Sequence, residues 1–327
     1  MEQTYIKNIR HHPCDKQKGE KQMSWSSLQK TFFALILLAI LVLGVHNTWT
    51  MSNLTSTVYT MQSTIDNLNS MLGNYTQRLE GYLTIAGSTT VLPIIQTCAN
   101  LFMQENPGVV ISVSGGGSGH GISAVSAGYI NIGMSSKNLT TEQITDPDPD
   151  LQPVAIALDS VAIIVHPTNS FVDDLTLEEV EMIFNGTITD WSHFGGSGEI
   201  HVYTREAGSG TLECFEKFFM KHSDITGAAS EKTSNGEMKA TIASDPAGIG
   251  FLSVGYIDET VNPLKIDGVE PTVANIKTGA YKIKRWLFLI TKGPPTKIEQ
   301  AFIDFVLSSQ GQEIVEQQGY LPLEWFQ

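Results

Sequence analysis

Positive charge is scarce in this 327-residue chain: 20 Lys and Arg stand against 34 Asp and Glu, for a net charge of −14. So acidic a balance excludes a nucleic-acid-binding role. Cysteine is scarcer still. There are three, with no C-x-x-C pair, which excludes a disulfide scaffold and a conventional zinc site. Neither G-x-x-x-x-G-K-[ST] nor H-E-x-x-H occurs, so no P-loop and no zincin centre is encoded. The glycine loop Gly115–Gly119 runs into His120, which breaks both G-x-G-x-x-G and G-x-S-x-G. His120, His166, His193, His201 and His222 have no metal-ligand spacing, and only His120 lies in a loop that could face a bound molecule. These absences leave no metal, no cofactor and no catalytic residue to assign. With 41% apolar and only 17% charged residues, most of the chain is nevertheless a folded protein.

Long apolar runs are also rare. The one present, Phe32–Val45, follows Lys7, Arg10, Lys16, Lys18, Lys21 and Lys30 and is flanked by Trp25 and Trp49. Fourteen residues is short for a span and fits a signal-peptide core as well. The thirty-residue lead and the lack of a small-residue cleavage site favour an uncleaved anchor over 31–49. Residues 1–30 are then a cytoplasmic basic tail, and the rest of the chain lies outside the cell membrane. From Met51 to Leu79, apolar residues alternate spacings of three and four, so 50–81 reads as a helical stalk. It would either self-associate as a coiled coil or lie as an amphipathic helix on the outer domain or on membrane lipid. Four N-x-[ST] sequons, at Asn53, Asn74, Asn138 and Asn185, add little, because such triplets are frequent by chance.

Beyond residue 81, short β-branched runs alternate with helical periodicity, the pattern of an α/β fold with mainly parallel sheets. Three loops share one design, a strand end, a Gly/Ser/Thr turn and a helix start: Gly87-Ser88-Thr89-Thr90, Gly115-Gly116-Gly117-Ser118-Gly119 and Gly208-Ser209-Gly210-Thr211. Free amides and the positive end of the helix dipole at such a start, with hydroxyls added and Cβ atoms removed, suit an anion. The chain past residue 80 holds 13 Lys and Arg against 29 Asp and Glu, and its only arginines are Arg205 and Arg285. The overall field therefore repels an anion, and local dipoles with one planar guanidinium must hold it. Hydrogen phosphate carries a proton that a carboxylate can accept; sulfate at neutral pH carries none and is repelled.

The segments Ile85–Val91, Gly115–Gly119, Asn131–Ser136, Arg205–Thr211, Gly248–Phe251 and Gly319–Pro322 together resemble the phosphate-binding proteins of ABC phosphate importers, in order over about 83–323. The resemblance implies a type II periplasmic-binding-protein fold with two α/β lobes joined by two crossovers, lobe one over 82–157 and 262–327 and lobe two over 158–261. It implies a non-enzymatic subunit that closes on inorganic phosphate and delivers it to ABC permease subunits. Ser88, Thr89, Thr90 and Ser118 would donate from lobe one. Arg205 would pair with phosphate oxygens, and Ser209, Gly210 and Thr211 would donate from the third loop. Many members place an Asp, the acceptor for the phosphate proton, where Ser136 stands here. Asp159, in the first crossover, is the candidate replacement. Without that carboxylate, a binder of sulfate or molybdate stays open beside phosphate; a phosphate-ester hydrolase on the same scaffold is the more distant alternative.

Overall fold

The computed structural model describes residues 27–42, 48–76, 79–145 and 150–326, and the chain divides into two compact units, Met1–Arg78 and Leu79–Gln327. The first unit holds α1 (Ser27–Val42) and α2 (Thr48–Thr76). Among the described residues no helix is long and apolar enough to cross a membrane, so the anchor expected over 31–49 is not shown. Residues 1–26 of the expected tail and 43–47 of the expected anchor lie outside the described residues. On α2, the stalk positions Leu54, Met61 and Leu68 are exposed, while Val58 and Ile65 are half-buried.

The second unit begins with β1 (Glu80–Gly87), α3 (Leu92–Glu105), β2 (Gly108–Ser114), α4 (Ser118–Ser126), β3 (Ile132–Ser135), α5 (Thr141–Thr145) and β4 (Leu151–Asp159). A second series follows: β5 (Val161–Val165), β6 (Asp174–Leu175), α6 (Leu177–Phe184), β7 (His201–Arg205), α7 (Gly210–Phe219), β8 (Ser230–Lys232), α8 (Asn235–Ile242) and β9 (Gly248–Ser253). The chain closes with β10 (Asn262–Pro263), β11 (Lys265–Ile266), α9 (Val273–Thr278), β12 (Arg285–Lys292), α10 (Lys297–Leu307) and α11 (Ser309–Gln317).

Local chemistry sets these limits. Pro93 sits in the first turn of α3, where its missing N–H costs nothing, and the helix buries Ile94, Ile95, Cys98, Ala99 and Phe102 at helical spacing. Asn106 stops it, giving both its backbone N–H and its side-chain amide to the Phe102 carbonyl. Thr176 with Glu179 and Thr296 with Glu299 form complete capping boxes at α6 and α10. Thr140 and Gln143 exchange hydrogen bonds ahead of α5 in the same way.

Two five-stranded sheets result, ordered β2-β1-β3-β12-β4 and β10-β5-β9-β7-β8, beside a two-stranded β11-β6 pair. The pairings are mixed rather than mainly parallel. Among the described strands, β12 runs antiparallel to β3 and β4, and β5 runs antiparallel to β9 and β10. The cause is topological: β12 returns from the second lobe and enters the first sheet against the direction of its neighbours. Each sheet has its own core. In the first, Phe102 meets Phe302 edge-on at 5.4 Å; in the second, Phe215 stacks on Phe251 at 4.0 Å. Fully burying such a side chain contributes about 1.5–3 kcal/mol.

The lobes meet through thin connections. Only Ser160 separates β4 of the first sheet from β5 of the second. Residues 262–284, expected with lobe one, pack instead on lobe two: β10 pairs with β5, and Ile266, Ile276, Tyr281 and Ile283 join its core. Short strands and loops over this stretch gave no periodicity to show which core they would cover. Cys98 and Cys214 are free, buried and on helices of different lobes, and burial pushes both thiols up to about 12.

Candidate anion-binding site

Three strand-to-helix turns of the first lobe are tied together by backbone. The Ser88 N–H donates to the Met134 carbonyl at 2.9 Å, and the Gly117 N–H to the Gly87 carbonyl at 3.0 Å. Gly87 is required here: its φ is +137°, and a Cβ would collide with the Met134 carbonyl oxygen and press on the Gly121 Cα. Side chains continue the link. The Thr90 N–H donates to Ser88 Oγ at 3.2 Å, Ser88 Oγ donates to Ser136 Oγ at 2.9 Å, and the Ser136 N–H donates to Ser118 Oγ at 3.0 Å.

The second lobe brings the turn between β7 and α7 against this cluster. The Gly119 N–H donates to the Gly208 carbonyl at 3.0 Å, and Thr90 Oγ1 lies 3.3 Å from Thr211 Oγ1. Ser88, Thr89, Thr90, Ser118, Ser136, Ser209 and Thr211 are all buried. Ser209 is the N-cap of α7, its Oγ accepting from the Leu212 N–H, which leaves Gly210 and Thr211 as the first helical amides. Gly210 sits so close that an added Cβ would stand 2.5 Å from Ser136 Oγ and 2.7 Å from the Ser136 carbonyl carbon. The three loops picked out in the sequence, and Ser136, therefore meet at one place. His120 does not join them: it is exposed, its ring lying against Gly116.

Arg205 reaches the site with its charge already engaged. Nε donates to Glu206 Oε2 at 2.9 Å and Nη2 to Glu206 Oε1 at 3.0 Å, a bidentate pair, and the Lys232 carbonyl takes a further bond from Nε. Nη1 is turned toward Asn235 Oδ1 at 3.4 Å. Asp159 is fully buried, with Oδ1 accepting from Ser253 Oγ at 2.7 Å and Oδ2 from Arg285 Nε and Nη2 at 2.9 and 2.8 Å. Burial raises its carboxyl above the usual carboxylate range, while the Arg285 guanidinium and the Ser253 hydroxyl pull it back. Asp159, expected as the acceptor for a ligand proton, turns both of its oxygens to protein donors.

Four contributors were not foreseen. Arg285 Nη2 donates to Thr90 Oγ1 and to Thr211 Oγ1, each at 3.0 Å. Asn235, the first residue of α8, donates from Nδ2 to Thr90 Oγ1 at 2.9 Å and to Thr89 Oγ1 at 3.3 Å. Tyr256 and Tyr320 hold the first loop by its carbonyls, donating to Thr89 O at 2.6 Å and Thr90 O at 2.8 Å. Burial pushes the Tyr256 phenol up to about 12 and that of Tyr320 well above its ordinary value, so both stay protonated donors. A signal existed for Arg285, the other arginine beyond residue 80, which begins the return crossover. For Asn235 the sequence held none.

The second unit is thus a two-lobed α/β binding protein whose site collects neutral donors and two paired guanidiniums from both lobes. Residues 73–310 match the model of the PBP superfamily domain. The phosphate-binding protein PstS of Bacillus subtilis is 35% identical over 250 residues, 76% of this chain and 82% of the relative. PstS of Borreliella burgdorferi is 30% identical over 258 residues, 75% of this chain and 91% of the relative. A phosphate-bound crystal structure from Clostridium perfringens, described as a phosphate ABC transporter substrate-binding protein, has a TM-score of 0.70 at 33% identity, covering 74% of this chain and all of that one. The chain belongs to the PstS family of phosphate-binding proteins, with the two-lobed fold of type II periplasmic binding proteins.

Proposed function

We propose that this chain is the extracytoplasmic substrate-binding subunit of an ABC phosphate importer, taking inorganic phosphate between its lobes and handing it to the permease. The observation that carries this reading is the convergence of six hydroxyls, those of Ser88, Thr89, Thr90, Ser118, Ser136 and Thr211, with the opening amides of α7. Uncharged hydrogen-bond donors fixed in a dry site stabilise a small tetrahedral anion without needing a basic field. Phosphate draws the loops of both lobes together, and release reopens them. The relatives are phosphate-binding transport proteins, and this reading likewise makes the chain a binder rather than an enzyme. Calorimetric titration of the full chain with inorganic phosphate is expected to give one site per chain. The PstS relatives are named for phosphate, so sulfate and molybdate are expected to compete more weakly. Equal affinities for phosphate and sulfate would make the site a general oxyanion binder instead.

The anchor belongs to the same proposal. It is supported by the apolar run Phe32–Val45 behind six basic residues. The full chain is expected to stay with membranes through an alkaline carbonate wash, and the chain lacking residues 1–49 to be soluble. A full chain released by the wash rules the anchor out.

A further inference from the structure

We propose that Arg285 is a positioning residue: it fixes the hydroxyls of Thr90 and Thr211, one from each lobe, as donors toward the bound anion, and Asp159 holds it in that posture. This inference rests on the phosphate-binding reading of the site. A guanidinium can only donate, so each oxygen it touches must accept. Arg285 Nη2 has two hydrogens: Asp159 takes one, and the other is shared between Thr90 Oγ1 and Thr211 Oγ1, each 3.0 Å away. Thr90 Oγ1 also accepts from Asn235 Nδ2 at 2.9 Å, so both of its lone pairs are taken. Its own hydrogen must then point outward, to Thr211 Oγ1 at 3.3 Å or to an anion in the site. An arginine placed behind the hydroxyls thus turns groups of either polarity into donors.

Two further observations support the assignment. Arg285 Nη1, left over once Asp159 has engaged Nε and Nη2, is buried and has no acceptor in the protein, while the side chain as a whole is more than nine-tenths buried. A buried donor of this kind calls for a partner that the protein does not supply. Arg285 and Asp159 are also direct register partners of β12 and β4, where the chain crosses between lobes. One nitrogen at that crossing therefore bonds a threonine from each lobe, a pair of bonds that exists only while the loops are together. Arg285 accordingly couples ligand capture to closure without carrying the ligand's charge by itself.

The test is a double-mutant cycle on the full chain, with inorganic phosphate as the probe and thermal melting of the ligand-free protein measured alongside. Arg285→Gln and Thr211→Val are each expected to weaken phosphate binding by about 10- to 100-fold, the size of a charge-assisted hydrogen bond. Because both remove the same oriented donor, the double variant is expected to lose no more than about threefold beyond the worse single variant. Losses that multiply would assign Arg285 a separate role and overturn the proposal. So would an Arg285→Gln protein that binds phosphate within threefold of the parent. If Arg285→Gln does not fold, Arg285→Lys replaces it. That variant keeps the charge opposite Asp159 but lacks the planar fork, so binding about tenfold weaker at an unchanged melting temperature is expected, and parental binding overturns the proposal. A parent chain that does not bind phosphate at all overturns the reading of the site and this inference with it.

Discussion

Replacing Gly210 with alanine is expected to weaken phosphate binding by at least about a hundredfold while leaving the ligand-free protein as stable as before. The added Cβ would stand 2.5 Å from Ser136 Oγ, 2.7 Å from the Ser136 carbonyl carbon and 2.8 Å from Ser118 Oγ. A serine hydroxyl can rotate away, but the backbone carbon cannot, so the loops must part. The loss falls on closure alone. Gly210 has no positive φ, and it opens a helix in which alanine is the better former, so nothing inside the second lobe opposes the change. Calorimetry with phosphate, set beside thermal melting without it, separates the two effects. An alanine variant that binds like the parent would mean that the lobes do not meet at Gly210 in the bound state.

The second large effect is expected at Asp159. Asparagine there would leave Arg285 buried beside a neutral partner, and breaking a buried pair in this way costs about 3–5 kcal/mol of stability. Both members are enclosed, at 7% and 0% side-chain exposure, so solvent does little to screen the loss. Binding is expected to fall as well, and by the same factor for phosphate as for sulfate. An Asp159 that accepted the phosphate proton would instead give a loss confined to phosphate. Denaturant melts of the Asp159→Asn protein, with calorimetry against both anions, tell these apart; a selective loss of phosphate would return Asp159 to the role of proton acceptor.

The contrast at Asp159 marks where the sequence stops being readable. Turns such as Gly87–Thr90 and Gly208–Thr211 declare themselves because capping and helix initiation are local, requiring particular residue types within four positions. The capping boxes at Thr176 and Thr296 are just as local, each closing within four residues. What those turns meet is not local. Arg285 is 126 residues from Asp159 and 195 from Thr90, and Asn235 is 145 from Thr90. No periodicity or spacing links residues that become neighbours only when two sheets face each other. The acidic surroundings did imply a site built on dipoles, and they led to one guanidinium; the fold brings two. Strand direction escaped for a related reason, since a run such as Leu287–Thr291 reads identically in either sense along a sheet.

Both guanidiniums reach the site beside a carboxylate of their own, Arg205 with Glu206 and Arg285 with Asp159. The formal charges around the pocket therefore cancel before any ion arrives, and an incoming dianion is neutralised by oriented N–H and O–H groups rather than by a counterion. What ionic strength screens is the repulsion from the chain's net negative charge, so added salt does not loosen the hold. A protein of this design can retain its cargo in brine and in fresh water alike.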